Sequence, residues 1–276
     1  DGGLTWSSEK SIIATKNVRD TVTGKGIGLN GEMLFWVRKG SPGGADTTHD
    51  LYSTNDGETF TLITSTQFKS PTTSKTVSHI GDIVKLSDGS LLAFVQTVGS
   101  GSMYGVIKSM NGGVSWTLNI IEDDLEPATT PMEVSCIDLG GGRLLGLGRK
   151  EAAEAGIAST QWQLESTDYG ATWSKSRTNI SDISLSTPSL VYNASTNEIY
   201  NYYFRRGYGE LRMRKCNAND VWTKPTNWPE SEIIAYGTRN HQDTGNVNAV
   251  MFGDDKQIAV YYSGDPSNIG IYAVIL

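Results

Sequence analysis

The chain has 276 residues, of which 37 % are hydrophobic and 19 % are charged, and its formal charge is −7 at pH 7. This composition is typical of a folded protein rather than a disordered one, and the 31 glycines favour strands joined by tight turns. The acidic balance argues against a nucleic-acid partner, because phosphate contacts need clustered Lys and Arg, and no apolar run is long enough to span a membrane.

A short box recurs along the chain with the pattern Ser-x-(Asp/Asn)-x-Gly-x-(Thr/Ser)-(Trp/Phe). Complete copies lie at Ser53–Phe60, Ser109–Trp116 and Ser166–Trp173, a truncated copy at Asp1–Trp6 and a worn one at Cys216–Trp222. In each box an Asp or Asn side chain caps a turn, Gly supplies an unusual backbone angle, and the aromatic ring packs between sheets. The copies follow one another at intervals of roughly 50 residues, which indicates a structural repeat. The boxes themselves build turns and do no chemistry.

Between the boxes, a second pattern of strand, tight turn and strand recurs. Ser87–Ser90 is such a turn between apolar stretches, and Gly140–Gly142 is the next. Asp-Gly and Gly-Gly turns are strong signals for hairpins, so each repeat should contain two hairpins, or four antiparallel strands. Repeats of this size and strand content are typical of propeller blades. The predicted blades cover residues 16–66, 77–122, 130–177, 186–228 and 244–276.

We therefore predict a single all-β domain over residues 1–276, a β-propeller of five four-stranded antiparallel blades, with a six-bladed ring as the alternative. Residues 4–13 should complete the fifth blade as its outer strand and so close the ring. The only helix candidate is the short stretch 151–158. Cys136 and Cys216 lie in different blades and share no motif, so both are expected to be free, packed thiols.

The propeller geometry predicts where polar side chains should converge. In each blade, the start of the first strand and the end of the second open on one face near the axis, here called the mouth. Residues predicted at the mouth are Arg19, Arg38, Asp46, His79, Asp82, Gln96, Glu133, Arg149, Arg205 or Arg206, Asn246 and Ser263. Converging guanidinium groups suit a carboxylate ligand, and nearby carboxylates suit acid–base work at a glycosidic bond. A ring of salt bridges that plugs the channel is the alternative.

The boxes, blades and arginine cluster together resemble the sialidase superfamily in motif spacing over most of the chain. The strongest local match is 133–149, similar to the sialidase segment in which a Glu opens one strand and an Arg closes the next. The resemblance implies that three arginines hold a sugar carboxylate and that two acidic residues serve catalysis. It implies that Arg19, Arg149 and Arg206 (or Arg205) bind the sugar carboxylate. It implies that Asp46 (or Asp50) donates a proton and that Glu133 supports the attack on the anomeric carbon. Arg38 and Asp82 would contact the sugar ring.

One departure from the sialidase pattern concerns the nucleophile. The family's Tyr should open the last blade within 243–249, where the aligned residue is Asn246, and an amide cannot form the covalent intermediate that a phenol forms. Glu133 could instead work with water and the arginines. Alternatively, a different acidic glycan could be cleaved by a carboxylate pair drawn from Asp46, Asp82, Glu133 and Asp243, or the propeller could bind a glycan or receptor without catalysis. Fold alone does not choose among these.

The sequence thus favours a sialidase-like glycoside hydrolase that acts on an acidic, carboxylate-bearing glycan, with a non-catalytic glycan- or receptor-binding module as the alternative. Tyr208, Asp243 and Asn246 complete the candidate substrate contacts. We expect an acidic oligo- or polysaccharide as partner, no metal or cofactor, no nucleic acid and no membrane insertion. The expected location is extracellular, secreted or on a virion or cell surface. Because the sequence starts at Asp1 without Met, a mature or excised chain is expected. The sugar, the linkage, exo or endo action and the oligomeric state stay open.

Overall fold

The computed structural model describes residues 5, 7–8, 20–150, 160–183, 186–239, 245–253, 256–265 and 268–276. Almost all regular structure in these ranges is antiparallel β-sheet, arranged as a five-bladed propeller. The predicted five-bladed fold is confirmed, and the six-bladed alternative is wrong. The predicted closing strand at 4–13 and the helix candidate at 151–158 lie outside the described residues.

The strands follow the chain from the innermost to the outermost position of each blade. Blade 1 contains β1 (Thr21–Leu29), β2 (Glu32–Lys39), β3 (Thr48–Thr54) and β4 (Thr61–Thr66). Blade 2 contains β5 (His79–Ile80), β6 (Val84–Lys85), β7 (Leu91–Gln96), β8 (Ser102–Ser109) and β9 (Thr117–Leu125). Blade 3 follows a 3-10 turn (Pro127–Thr129) and contains β10 (Pro131–Asp138), β11 (Leu144–Lys150), β12 (Trp162–Ser166) and β13 (Ser174–Arg177).

Blade 4 contains β14 (Ser189–Asn193), β15 (Glu198–Arg205), β16 (Glu210–Asn217), helix α1 (Ala218–Val221) and β17 (Glu232–Tyr236). Blade 5 contributes β18 (Val247–Phe252), β19 (Lys256–Asp265) and β20 (Asn268–Ile275) in the described residues. Blade 4 extends past its predicted end at residue 228, so that boundary is wrong. At the worn box, Asn217 accepts a hydrogen bond from the Asn219 amide at 3.1 Å and starts the helical turn α1.

The cores lie between neighbouring blades rather than at the axis. Successive residues of a strand point to opposite faces of its sheet, so the apolar side chains of one face pack against one neighbouring blade and those of the other face against the next. The complete boxes contribute their aromatic rings to these layers: Trp116 packs edge-on against Trp36 with ring centres 5.4 Å apart, and Trp173 against Phe94 at 4.7 Å. Cys136 is buried and Cys216 half-buried, and both are free thiols, as predicted.

At the axis, polar groups tie the inner strands together. The innermost strand of blade 2 is interrupted between β5 and β6, where Gly81 still donates to the Phe94 carbonyl but Ile83 donates instead to Lys25 of blade 1 at 3.0 Å. A Cβ at Gly24 would lie only 2.2 Å from the Gly81 carbonyl carbon, so only glycine permits this approach. The interruption places Asp82 on the axis beside Lys25.

A closed ring of hydrogen bonds then runs through all five blades. The Lys25 backbone amide donates to Asp82 Oδ1 at 2.8 Å, and the Ser135 hydroxyl of blade 3 donates to Asp82 Oδ2 at 2.6 Å. The backbone amide of Leu190 in blade 4 donates to the Ser135 Oγ at 3.0 Å. We call Lys25, Asp82, Ser135, Ser189, Leu190 and Ala249 the axial ring.

The remaining links of the axial ring pass through blade 5 and return to blade 1. The Ala249 amide donates to Ser189 Oγ at 2.8 Å, and the Lys25 ammonium donates to the Ala249 carbonyl at 3.3 Å. The same ammonium donates to the Leu190 carbonyl at 2.9 Å and lies 3.2 Å from Asp82 Oδ2. One lysine side chain therefore contacts blades 2, 4 and 5 from its place in blade 1.

Replacing Lys25 by Met should destabilise the propeller, because it leaves the Asp82 carboxylate in a largely buried position without its ion-pair partner. We expect a loss of about 3 kcal/mol in the free energy of unfolding. Urea unfolding followed by tryptophan fluorescence measures it. Lys85→Met removes an exposed lysine of the same region and serves as the control; equal effects of the two changes would contradict the structural role of the ring.

Candidate functional site

A cavity of about 470 Å³ opens at the mouth of the propeller. The axial ring forms its floor, since Asp82 and Ser135 belong to the lining, and a second cavity of about 340 Å³ lies on the other side of the ring. Every blade contributes to the wall of the mouth cavity. Its polar lining includes Thr21, Thr23, Arg38, His79, Asp82, Glu133, Ser135, Thr187, Asn246, Asn248 and Tyr262.

Glu133 enters this cavity because of an irregularity in its strand. β10 carries one extra residue relative to β11 between Met132 and Ser135, and Glu133 has a positive φ of 48°. A bulge of this kind turns a side chain away from the regular alternation. The Glu133 amide donates to Gln96 Oε1 at 2.9 Å, which fixes the bulge to blade 2. The Glu133 carboxylate accepts a short hydrogen bond from Arg149 Nε.

The environment of Glu133 favours its charged form. Burial is the largest influence on its pKa and would raise it, but the charge and hydrogen bond of Arg149, with smaller contributions from His79 and Arg206, lower it more. The pKa of Glu133 therefore lies below its ordinary value. At neutral pH this residue is a carboxylate that can accept a proton or stabilise positive charge, and it cannot donate a proton.

Arg38 reaches the cavity from the end of β2. Its Nη1 donates to the Ser78 carbonyl at 3.3 Å, while its Nε is buried and has no hydrogen-bond partner among the described residues. Burial lowers the pKa of this guanidinium, yet an arginine keeps its proton in a protein. The site therefore holds a permanent, partly desolvated positive charge at this wall.

Two histidines lie next to Arg38. Burial lowers the pKa of His79, although the negative charges of Glu133 and Asp82 oppose that effect. His49, which is fully buried on β3, has its pKa lowered to about 3 by burial, with smaller contributions from His79 and Arg38. Both imidazoles are thus neutral at neutral pH, and His79 presents a neutral hydrogen-bonding ring to the cavity.

Arg206 approaches the cavity from blade 4. It lies in the β15–β16 turn, and its Nη2 donates to the side-chain oxygen of Asn246 at 2.7 Å. Arg205 points elsewhere: it lies 3.6 Å from Glu210 as an ion pair and 3.6 Å from the centre of the Tyr208 ring. Of the two candidates for the third carboxylate-binding arginine, the one that contacts the cavity lining is Arg206.

Three predicted acidic residues do not act as free carboxylates in the cavity lining. Asp46 is exposed on the β2–β3 loop, outside the lining, because turn hydrogen bonds from Gly44 and Thr47 fold that loop on itself. Asp82 belongs to the floor, and both of its oxygens are engaged by the axial ring. Asp50 is buried and accepts a hydrogen bond from Ser65 at 2.6 Å.

Two further candidates, Arg19 and Asp243, lie outside the described residues. Tyr208 is half-exposed on the rim beside Arg205. Among the described residues, no three His, Cys, Asp or Glu side chains are grouped so that they could hold a metal ion. The described ranges also contain no helix with the length and apolar character needed to cross a membrane.

Sequence reasoning placed Asn246 of blade 5 at the cavity but missed other residues of this blade that line it, including Tyr261, Tyr262 and Ile271. Ser263, which was predicted at the mouth, is buried outside the lining and accepts a hydrogen bond from the Thr238 amide at 2.7 Å. No signal in the sequence distinguished Tyr261 and Tyr262 from Ser263, because all three are consecutive residues within β19. His79 was placed correctly near the axis but was not assigned to the site.

Comparison with known proteins finds similar folds among solved structures. No protein-family model and no curated protein matches the chain. Among solved structures, the sialidase of Trypanosoma rangeli in complex with the inhibitor DANA is similar over 100 % of this chain and 48 % of its own, with a TM-score of 0.67 and 14 % identity. The GH43_1 enzyme of Xanthomonas citri complexed with xylotriose is similar over 94 % and 88 %, with a TM-score of 0.62 and 9 % identity.

A protein of unknown function from Dyadobacter fermentans is similar over 93 % of both chains, with a TM-score of 0.56 and 14 % identity. This chain therefore spans about half the length of the sialidase and nearly all of the other two proteins. At such identities the likeness shows the fold. The chain is a β-propeller of the architecture shared by sialidases and GH43 glycoside hydrolases.

Replacing Arg149 by Ala should raise the pKa of Glu133, because burial then acts without the opposing charge and hydrogen bond. Carbon-13 NMR titration of the glutamate carboxyl groups measures the change. Arg143→Ala alters the turn at the other end of the same hairpin and should leave Glu133 unaffected. An unchanged Glu133 titration in Arg149→Ala would contradict the electrostatic description of the site.

Proposed function

We propose that this protein is a sialidase-like glycoside hydrolase that holds the carboxylate of an acidic sugar in the mouth cavity. The observation that carries the proposal is that Arg38 lines one cavity together with Glu133, while Arg149 and Arg206, from two other blades and outside the lining, donate to the lining residues Glu133 and Asn246. Guanidinium groups bind carboxylates through paired, charge-assisted hydrogen bonds. Such a concentration at one site is notable in a chain whose net charge is −7.

The cavity has the electrostatics of an anion site rather than of a plugged channel. Glu133 offsets the charge of Arg149, but Arg38 contacts a neutral carbonyl and has no carboxylate partner among the described residues. The adjacent histidines are held neutral by burial and therefore do not change the net charge of the cavity. A ligand carboxylate could therefore supply the negative partner that Arg38 lacks among the described residues.

The proposed chemistry assigns Glu133 to the attack on the anomeric carbon. As an ionised carboxylate it can take a proton from an attacking water or stabilise the oxocarbenium-like transition state. Asn246 excludes a covalent step through a phenol at that position. Asp46 stays the candidate proton donor, because its loop directly follows β2, the strand that carries Arg38 at its end.

Non-catalytic glycan binding is the second candidate, and a specific observation favours it. Both oxygens of Asp82 and the Oε2 of Glu133 already accept hydrogen bonds within the protein, and Asp46 lies outside the cavity lining. A propeller with this arrangement could bind an acidic sugar through its arginines without cleaving it.

Incubation with acidic polysaccharides and fluorogenic sialosides tests the proposal through released reducing ends or dye. We expect turnover by the unaltered protein, a loss of about 100-fold in kcat for Glu133→Gln with binding retained, and at least tenfold weaker binding for Arg38→Ala. Arg143→Ala is the matched control. Binding without turnover would overturn the hydrolase and support the second candidate, and absence of binding would overturn both.

A further inference from the structure

Blade 4 carries an exposed basic and aromatic surface next to the mouth cavity. We define the blade-4 rim as Arg205, Arg206, Tyr208, Tyr236 and Arg239. β15 ends and β16 begins at this edge, and β17 returns to it, so that Glu210 pairs with Tyr236 in the sheet register. The Gly237 amide donates to the Gly209 carbonyl at 2.8 Å, which holds the two aromatic segments side by side.

The two tyrosines of the rim are unusual for this blade. Tyr208 is 51 % exposed and Tyr236 is 64 % exposed, while Tyr200, Tyr202 and Tyr203 of the same blade are buried. The Tyr208 ring lies against the Arg205 guanidinium at 3.6 Å, which orients it. Exposed rings of this kind present an apolar face and a polar edge, the combination that suits the face of a sugar ring.

The rim is also positively charged. Arg239 is exposed and packs over Gly209, where an added Cβ would lie 2.9 Å from Arg239 Cγ. Glu210 lies between the arginines, but it is shared between Arg205 at 3.6 Å and Arg212 at 2.7 Å. Arg205, Arg206 and Arg239 thus lie along one short edge of the described residues, and clustered arginines attract an anionic polymer.

Two contacts make the rim continuous with the cavity. Arg206 donates to Asn246, which lines the cavity. The Tyr261 hydroxyl, in the wall formed by the neighbouring blade 5, donates to the Tyr236 carbonyl at 3.1 Å. A ligand that leaves the cavity on the side of blade 4 would pass directly over the exposed rings.

We propose that the blade-4 rim binds the sugar residues that adjoin the one in the mouth cavity, so that the ligand is a linear acidic polysaccharide rather than a single terminal sugar. This inference rests on the proposed function. The negative charges of such a polysaccharide would pair with the guanidinium groups of the rim, and the faces of its sugar rings would stack on the tyrosine rings. A nucleic acid shares the charge and has flat bases, but the cavity that the rim extends is built around a carboxylate-binding set of arginines, which favours the polysaccharide.

The test compares fragments of different lengths. Disaccharide and octasaccharide fragments of polysialic acid and of polygalacturonic acid are titrated into the protein by calorimetry. We expect the octasaccharide of the polymer that binds to have an affinity about tenfold higher than its disaccharide. Tyr208→Ala and Tyr236→Ala should each remove a large part of this gain, by about three- to tenfold, and leave disaccharide binding unchanged.

Controls separate stacking from other causes. Tyr208→Phe keeps the ring and should retain the octasaccharide affinity, whereas Arg239→Ala should weaken it in a salt-dependent manner. Met110→Ala changes a side chain that is 74 % exposed in the second box, on the opposite face of the propeller, and should have no effect. Thermal melting confirms that each variant is folded.

The outcomes distinguish this inference from the proposed function. The proposal that the rim binds sugar would be overturned if the disaccharide and the octasaccharide bind with equal affinity, or if neither Tyr208→Ala nor Tyr236→Ala weakens octasaccharide binding. This conclusion would hold even if Arg149→Ala abolishes disaccharide binding. The proposed function would be overturned if no disaccharide binds and Arg149→Ala does not change the octasaccharide affinity. Equally tight binding of a neutral xylan octasaccharide or of an oligonucleotide at the rim would overturn the acidic polysaccharide as its ligand.

Discussion

The hydrogen bonds around the propeller axis are the constraint on which the rest of the structure depends. Lys25 reaches from blade 1 to three other blades, and Asp82 and Ser135 carry the chain of contacts through blades 2 and 3. Lysine and aspartate are stable in this largely buried place only because each of their polar groups has a partner. The glycines on either side of Lys25 allow the strands to approach closely enough for these contacts. The axial ring thereby fixes how near the five strand starts come to one another.

This spacing decides the chemistry available at the mouth. Asp82 is used by the fold, so that among the described residues Glu133 is the remaining carboxylate of the cavity lining; it enters from a bulge, and Arg149 keeps it ionised. Arg38 supplies positive charge from a partly desolvated position. Arg206 belongs to the blade-4 rim and donates a hydrogen bond to Asn246 in the cavity lining. In the proposed function, the site separates into a floor that stabilises the fold, a wall that would bind an anion, and an edge that would bind the continuation of a sugar chain.

Much of this arrangement could be predicted from the sequence because propeller repeats are local. The boxes and hairpin turns located the blades, and the ends of one hairpin had to bring Glu133 and Arg149 together. Features that depend on contacts between distant strands were missed. Nothing local in blade 2 showed that its inner strand would break and place Asp82 on the axis. Within β19, Tyr261 and Tyr262 line the cavity and Ser263 does not, and this depends on how blade 5 packs against blade 4 rather than on the local sequence. The end of blade 4 was misplaced because a helical turn and a loop separate β16 from the outermost strand β17.

The central claim is that the arginines at the mouth grip the carboxylate of an acidic sugar. A crystal structure of the protein soaked with an acidic oligosaccharide tests it most directly. The account predicts the carboxylate in the mouth cavity, within hydrogen-bond distance of the Arg38 guanidinium and of Arg149 or Arg206. A sugar bound only in the cavity on the other side of the axial ring, or in the mouth cavity with its carboxylate turned away from all three arginines, would contradict it.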